Sequence, residues 1–525
     1  MTVASLPLRA PGRRNGTARL VNIALLVAGC GYFLLSRLDA LWSGGTDLAF
    51  HTLLVSRHME TFNLANVTDP PLGGLVDYPQ FAYVVAAIFG RLAGSPVIGV
   101  QVTALAGLLV VWVCGAFAAR TVPAGIAPAF LVVFATLAVL NDVSLRLELF
   151  GNEIVRNFFF AQLVGQAVAM AALLSMVLAE LRGAEPRWRY LGLFAAIVLL
   201  VNIHLVPTVE MVGFLILTVA LDVARAGRPL RLKRLVEGGV AIAASLAFVL
   251  THPAFRSAIG TSANDGGLPL RYTPQPILMA ALALIVAGVS GAALLVWARW
   301  LDDEGRRQWA YARVLSLFGL SVAGCCLVQF IALEAGYGSP YAVKKYAFAL
   351  NTVLFLFLAL AIAARITAIL KSRQAGELFF SRRSSWTLAC LAPLALVFSA
   401  LYRTPGEISV SRLATVDEFA RSYRTLSLEA APGRNDYAVG IAGVRGGGNL
   451  LVSIDGLHAP SDRNAIAIRN NKPFPDVAVV RTLLTSSGSR PWDVPECRKF
   501  NAASGLVALD GACVFARVGP DAVSK

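Results

Sequence analysis

The chain has 525 residues, of which 57% are hydrophobic and only 15% charged, and its formal net charge is +15 at pH 7. Soluble globular domains carry about 25% charged residues, so this composition excludes an ordinary soluble protein. The positive charge lies mostly in short segments between apolar runs, which indicates anchoring on the cytoplasmic side of a membrane rather than binding to nucleic acid.

The apolar runs predict an all-α polytopic transmembrane bundle. Runs of about 20 residues, the length that crosses a bilayer, recur from Leu20 to Tyr402. The segment 1–19 is basic, and the run after it is too long for the core of a signal peptide, so a retained first helix is predicted. About eleven spans are expected, at residues 20–42, 97–119, 125–141, 158–181, 190–204, 207–224, 236–252, 276–298, 313–334, 346–370 and 386–402.

The sidedness of these spans follows from the loops rich in Lys and Arg. Four such loops alternate with less basic ones and can all be cytoplasmic: 182–189, 225–234, 299–313 and 371–383. The N-terminus is then cytoplasmic and the acidic segment 43–79 is outside. Only one span can then lie between residue 79 and the cytoplasmic Arg120, although this stretch contains two apolar segments. Gln80–Gly94 is short and contains an arginine, so it is predicted to be an amphipathic helix on the outer surface. The alternative is that it is a true span and that 97–119 or 125–141 is not.

The outer loop 43–96 holds the first candidate for catalysis. Asp47 follows the first apolar segment, where a carboxylate could take a proton from a hydroxyl group. The alternative is that Asp47 caps a helix. His51 lies four residues later on the same helix face, where it could orient the carboxylate, bind a metal with it or simply pack. Asp77 and Tyr78 precede a proline, and a turn-forming role is the commoner explanation for Asp77.

Two later segments carry polar groups on the same predicted side. Segment 141–157 contains Arg146 and Arg156, which could bind a phosphate, although mixed charges at a membrane surface are often only solvated. His204 and Glu210 flank a proline within an apolar region. Ionisable residues at such a break indicate function, and a tight outer hairpin with His204 at the interface is the alternative.

The last outer segment places Lys344 and Lys345 beside Tyr341. Two lysines on the outer side oppose the positive-inside bias. The phosphate of a lipid-linked donor would compensate for this cost, and lysines bound to lipid head groups are the alternative. Gln162 and Gln166 are four residues apart in an earlier span, so both are expected to face the interior of the bundle.

The composition changes after the last span, and residues 404–525 are predicted to form a small α/β domain outside the membrane. Its strand-like runs are YAVGIAG, NLLVSI, VAVVRTLL and CVFARV. Cys497 and Cys513 are a candidate disulfide if this domain faces an oxidising space.

At these residues the chain resembles the GT-C superfamily of integral-membrane glycosyltransferases, which use polyprenyl-phosphate-linked sugars. The resemblance lies in Gly-Thr-Asp-Leu-Ala-Phe-His at 45–51, Asp-Tyr-Pro-Gln-Phe at 77–81 with Gly-Arg-Leu-Ala-Gly at 90–94, and Tyr-Ala-Val-Lys-Lys-Tyr at 341–346. It implies juxtamembrane helices in the first outer loop and an acidic base there, which corresponds to Asp47. Several branches have a paired acidic motif where this chain has a single aspartate. The resemblance therefore favours a lipid monophosphate donor without a metal, with a divalent metal left open.

Together these features predict an inverting sugar transfer on the outer face of the inner membrane, by a domain at 20–403 that precedes the extracytoplasmic domain. The partners would be a polyprenyl-phosphate sugar, membrane lipids and a glycan, glycolipid or protein acceptor. A polysaccharide polymerase or ligase, and a lipid-linked sugar flippase or transporter, are the competing hypotheses; a transporter predicts inverted repeats, and the sequence shows none. The predicted roles are Asp47 as base, Lys344, Lys345, Arg146 and Arg156 at the donor phosphate, and His51, Asp77, Tyr78, Tyr341, His204 and Glu210 in support.

Overall fold

The computed structural model describes the chain in segments between residues 47 and 519. The predicted spans 20–42 and 386–402, and the basic segment 1–19, lie outside the described residues. The described ranges are 47–61, 72, 75, 78–118, 121–123, 126–145, 147–151, 159–255, 275–372, 415–416, 435–444, 446–460, 462–469, 472–488, 493–501 and 505–519.

All the regular secondary structure in the described residues of the membrane part is helical. A short π-helical turn, Asn141–Leu145, directly follows the fourth helix. The helices are α1 Leu48–Glu60, α2 Phe81–Ala93, α3 Pro96–Ala118, α4 Ala127–Leu140, α5 Phe160–Leu181, α6 Pro186–Val201, α7 Leu205–Arg225, α8 Arg228–Thr251, α9 Pro276–Trp300, α10 Asp303–Gln308, α11 Ala310–Glu334, α12 Pro340–Lys344 and α13 Ala347–Ser372.

Seven of the described helical segments are long and apolar enough to cross a membrane. They lie in α3, α5, α7, α8, α9, α11 and the continuous stretch of α12 and α13. The protein is therefore a polytopic helical membrane protein. The corresponding predictions are confirmed as helices of spanning length: 97–119, 158–181, 207–224, 236–252, 276–298, 313–334 and 346–370.

Two predicted spans form shorter helices, so the count of eleven is not confirmed. The prediction 125–141 corresponds to α4 with 14 residues, and 190–204 corresponds to α6 with 16 residues. At a rise of 1.5 Å per residue, α4 is only about 21 Å long, which is less than the hydrocarbon core of a typical bilayer. Apolar composition predicted both helices correctly, but it does not indicate at which residue the backbone leaves the helical conformation.

The segment Gln80–Gly94 is helical, as predicted, and is too short to span. Its 13-residue helix α2 ends at Gly94, whose φ of 68° is the left-handed conformation that glycine adopts readily. The N–H of Phe81 donates to the carbonyl of Asn202 at 3.0 Å, which ties the start of α2 to the turn between α6 and α7. Its position on the outer surface remains a prediction.

The basic end of the bundle contains a buried network of charges that joins four helices. Arg189 of α6 contacts Glu180 of α5 at 3.2 Å and Asp222 of α7 at 3.0 Å. Arg313 of α11 also pairs with Glu180, and it lies 3.7 Å from Asp222. The Tyr190 hydroxyl donates to Asp222 at 3.0 Å. The two positive and two negative charges neutralise each other, which lowers the free-energy cost of burying them.

Replacement of Arg313 with methionine is expected to destabilise the protein by about 3–5 kcal/mol, because it leaves two buried carboxylates with Arg189 as their one counter-charge in the network. Chemical unfolding in detergent would measure this loss. Arg187→Met is the matched control, because the Arg187 side chain is 53% exposed and its ion pair is with the nearby Glu185. Equal stability of the two variants would contradict a stabilising role for the network.

The C-terminal region forms a small mixed domain around a four-stranded sheet, as predicted. The strand order is β1-β2-β4-β3, with β1 parallel to β2 and the other neighbours antiparallel. Cys497 and Cys513 form a disulfide with their Cα atoms 5.6 Å apart, which confirms the predicted pairing. The elements are β1 Asp436–Ala438, α14 Gly446–Leu451, a π turn Val452–Gly456, α15 Arg463–Arg469, β2 Thr482–Ser486, β3 Arg498–Asn501, β4 Leu506–Asp510 and α16 Gly511–Val518.

Two of the four strand-like runs are helical, which corrects the sequence prediction. YAVGIAG and VAVVRTLL contribute β1 and β2, but NLLVSI lies in α14 and the π turn, and CVFARV lies in α16. Short apolar runs do not distinguish a strand from a buried helix. In α16 the deciding feature is a cap, since the carboxylate of Asp510 accepts a hydrogen bond from the Cys513 N–H at 2.9 Å.

Candidate functional site

Asp47 lies at the start of α1, half-buried, at the end of the bundle opposite the basic network. Its backbone carbonyl accepts a hydrogen bond from the His51 N–H at 3.1 Å, so the helix begins directly after it. Its side chain makes no capping hydrogen bond to the first turn. Asp47 therefore occupies the N-cap position of α1, as the alternative predicted, but without a side-chain capping hydrogen bond.

His51 lies one turn further along α1 and is held by a tyrosine of α2. Its Nδ1 lies 2.7 Å from the hydroxyl of Tyr83, and the two rings stack with centroids 5.6 Å apart. Phe160 of α5 packs against both rings, at 5.8 Å and 5.6 Å. Both His51 and Tyr83 are buried. The packing fixes the imidazole one helical turn after Asp47.

Tyr78 and His204 extend this cluster toward α7. The Tyr78 ring lies edge-on to the rings of Tyr83 at 6.1 Å and His204 at 6.4 Å. Burial and the charge of Asp47 raise the pKa of Tyr78 above its ordinary value. The phenol therefore stays protonated at neutral pH and can donate a hydrogen bond.

His204 caps α7, and its contacts define its protonation state. Its Nδ1 accepts a hydrogen bond from the Val206 N–H at 3.2 Å, so Nε2 carries the proton. Burial, together with the charges of Lys345 and His51, lowers the pKa of His204 well below its ordinary value. The imidazole is therefore neutral near pH 7 and offers one N–H donor.

Lys345 completes the cluster from the junction of α12 and α13. Its ammonium lies 4.4 Å from the ring centroid of Tyr341 and 5.2 Å from that of Phe159. Its backbone carbonyl accepts from the Gln162 amide at 3.4 Å. Phe159 directly precedes Phe160, which packs on His51, so Lys345 lies at the same end of the bundle as Asp47 although nearly 300 residues separate the two in the chain.

Of the remaining predicted site residues, two are described by the structure and three are not. Lys344 is the last residue of α12 and is half-buried. Glu210 is completely buried further along α7, where its backbone carbonyl accepts a hydrogen bond from the Ser321 hydroxyl at 2.6 Å. Asp77, Arg146 and Arg156 lie outside the described residues.

Gln162 and Gln166 are both completely buried, which confirms that they face the interior. Among the described residues, no three His, Cys, Asp or Glu side chains are grouped so that they could hold a metal ion.

Three site residues were not identified from the sequence: Tyr83, Phe159 and Phe160. Tyr83 is the one tyrosine of the apolar helix α2, and that was the available signal. The two phenylalanines belong to a run of three that precedes Gln162. Such aromatic runs are usual in membrane helices, so the pattern alone did not separate them from ordinary core residues.

Comparison with known proteins gives little beyond this geometry. No family model matches the chain, and no curated protein matches it. Among solved structures, the chain is similar to the crystal structure of ArnT from Cupriavidus metallidurans in the apo state. That likeness covers 95% of this chain and 99% of the other, at 14% identity and a TM-score of 0.43. Values this low describe a loose overall similarity, so the function is argued from the site itself.

Proposed function

We propose that the protein is a membrane glycosyltransferase of the GT-C type, which moves a sugar from a polyprenyl-phosphate donor to an acceptor hydroxyl. The observation that carries this proposal is the placement of Asp47 and Lys345 at one end of the bundle: Lys345 lies over Phe159, and the adjacent Phe160 packs on His51, one helical turn after Asp47. A half-buried carboxylate and an ammonium lie there among tyrosine, phenylalanine and histidine rings. Sugar transfer from a phosphate needs a base on one side of the anomeric carbon and a positive charge on the other.

In the proposed reaction Asp47 accepts the proton of the acceptor hydroxyl as its oxygen attacks the anomeric carbon. The bond between that carbon and the phosphate oxygen breaks, and polyprenyl phosphate leaves with the electron pair. Lys345 neutralises the charge that grows on the phosphate. One bond forms on the face opposite the one that breaks, so the configuration at the anomeric carbon inverts.

The neighbouring residues supply orientation and binding. The His51–Tyr83 hydrogen bond at 2.7 Å holds the imidazole one helical turn after Asp47. The protonated phenol of Tyr78 and the N–H of neutral His204 are donors for sugar hydroxyls, and Tyr341 offers an aromatic face. We assign the phosphate role to Lys345 rather than Lys344, because its ammonium lies over two rings. Arg146 and Arg156 remain proposed further contacts to the phosphate.

The site is proposed to face the outside of the inner membrane. Of the loops rich in Lys and Arg, the described segments 182–189, 225–234 and 299–313 lie at the opposite end of the bundle, as expected for the cytoplasmic side. The domain with the Cys497–Cys513 disulfide lies at the same end as the site, and disulfides persist in oxidising spaces. The acceptor is proposed to be a glycan, a glycolipid or a protein of the cell envelope.

The test is a transfer assay in proteoliposomes with radiolabelled polyprenyl-phosphate sugars and cell-envelope acceptors. The expected result is label on the acceptor, with one free polyprenyl phosphate released for each sugar moved. Label that crosses the bilayer while still attached to its lipid would instead show a flippase. Transfer of a preassembled glycan, rather than one sugar, would show a polymerase or ligase.

A further inference from the structure

The C-terminal domain contacts the helix that presents Asp47, and the contact is centred on a buried arginine. Arg57 lies near the end of α1 with only 4% of its side chain exposed. Its guanidinium lies 3.1 Å from the carboxylate of Asp455 and 3.3 Å from Nε2 of His458. Within its own helix, Arg57 lies 3.4 Å from Glu60, whose side chain is 64% exposed. This buried charge therefore contacts both its own helix and the C-terminal domain.

The segment that supplies these contacts is firmly held in its own domain. The N–H of Ala438 in β1 donates to the Ser453 hydroxyl at 2.8 Å, and the N–H of Ala459 donates to the Ser453 carbonyl at 2.9 Å. His458 has a φ of 54°, the one positive value among the described residues other than glycine. A non-glycine residue in this conformation is uncommon and often marks a functional contact. Here the turn brings Asp455 and His458 to the same guanidinium.

Apolar packing supports the same junction. Helix α14 and the π turn after it pack on α1, and Leu450 and Ile454 share one buried core with Leu53 and Leu54. Apolar packing alone holds two surfaces together but does not fix how one is positioned along the other. The planar guanidinium of Arg57 contacts residues of both α1 and the C-terminal domain, so it also defines the position of the domain relative to the helix.

The helix α1 transmits this position to the catalytic end. Asp47 and Arg57 are ten residues apart on one continuous helix, which is about 15 Å along its axis. Neither end can shift along the axis without moving the other. We propose that Arg57 is a positioning residue: its contact with Asp455 and His458 makes the C-terminal domain set the place of Asp47 for the transfer described above.

The experiment compares Asp455→Ala and Arg57→Lys with the wild type in the same proteoliposomes. It measures kcat and KM for the donor, and hydrogen–deuterium exchange in Leu48–Glu60 and Val452–Gly456. We expect Asp455→Ala to raise exchange in both segments and to lower kcat about tenfold, since small displacements of a catalytic group are costly. The donor KM should change less, because Lys345 lies on other helices. Arg57→Lys keeps the charge but loses the planar guanidinium. Its kcat and its exchange should lie between those of the wild type and those of Asp455→Ala.

Lys499→Ala is the matched control, because it removes an exposed ion pair with Asp510 in the same domain. It should leave exchange in both segments and kcat as in the wild type. Unchanged exchange and kcat in Asp455→Ala would overturn the proposal. Raised exchange with kcat within about twofold of the wild type would also overturn it, since the contact would then dock the domain without positioning the base.

This inference rests on the proposed function, and Asp47→Asn, measured in parallel, separates the two. Full activity of that variant would reject Asp47 as the base. The exchange data would still show whether Arg57 holds the C-terminal domain against α1.

Discussion

Asp47→Asn is expected to abolish sugar transfer, with a loss in kcat of about 10²–10⁴-fold. Asparagine keeps the size and shape of the side chain but cannot accept the proton of the acceptor hydroxyl. Asp47 begins α1 and makes no capping hydrogen bond with its side chain, so the change removes no cap from the helix. The measurement is the initial rate of transfer in proteoliposomes at equal protein content.

Glu334→Gln is the matched control for this variant. Glu334 is an exposed carboxylate at the end of α11, and its neutralisation removes the same charge. Transfer by this control should equal that of the wild type, and size-exclusion profiles should show that both variants fold. Unchanged transfer by Asp47→Asn would reject the carboxylate as base and leave as candidates Asp77 and Asp142, the aspartate of segment 141–157.

Lys345→Gln is expected to lower kcat/KM for the donor by about 10²–10³-fold, because a group that stabilises the leaving phosphate is lost from a site shielded from water. Both kcat and KM should change, since the ammonium would bind the phosphate before the reaction and stabilise its growing charge during the reaction. Lys345→Arg retains the charge and should recover part of the activity. The measurement is a donor titration with each variant.

The neighbouring Lys344→Gln serves as the comparison for Lys345. It removes an equal charge one residue away, so a general effect on membrane potential or lipid binding would appear in both variants. We expect a much smaller loss from Lys344→Gln, because the contacts with Tyr341 and Phe159 belong to Lys345. Equal losses would contradict the assignment and favour binding of both lysines to lipid head groups.

The sequence predicted well where the physics is local. Seven predicted spans are helices of spanning length, because a continuous apolar run has one stable conformation in lipid. Helical spacing correctly placed Asp47 and His51 one turn apart, and cysteine usage correctly paired Cys497 with Cys513. The short helices α4 and α6 show the limit of this reasoning, since hydropathy does not report where a helix ends.

The site was only partly predictable, because its members meet through tertiary packing. His51 and Tyr83 are 32 positions apart, and Arg57 and Asp455 are 398 apart. Nothing in either local sequence indicates the other partner. Asp47, Lys345, His204 and Tyr78 were identified individually, each as an unusual polar residue near an apolar run, and their assembly into one cluster was an inference from sidedness alone.

By itself, the sequence determined a polytopic helical membrane protein, its predicted sidedness and the residues whose chemistry is out of place beside a membrane. These follow from the free energy of transfer of each segment, which depends on composition and not on neighbours. The tertiary structure decided which of those residues share a site, that Tyr83 holds His51, and that the C-terminal domain contacts α1. Such contacts depend on how helices distant in sequence pack side by side, and composition does not encode that geometry.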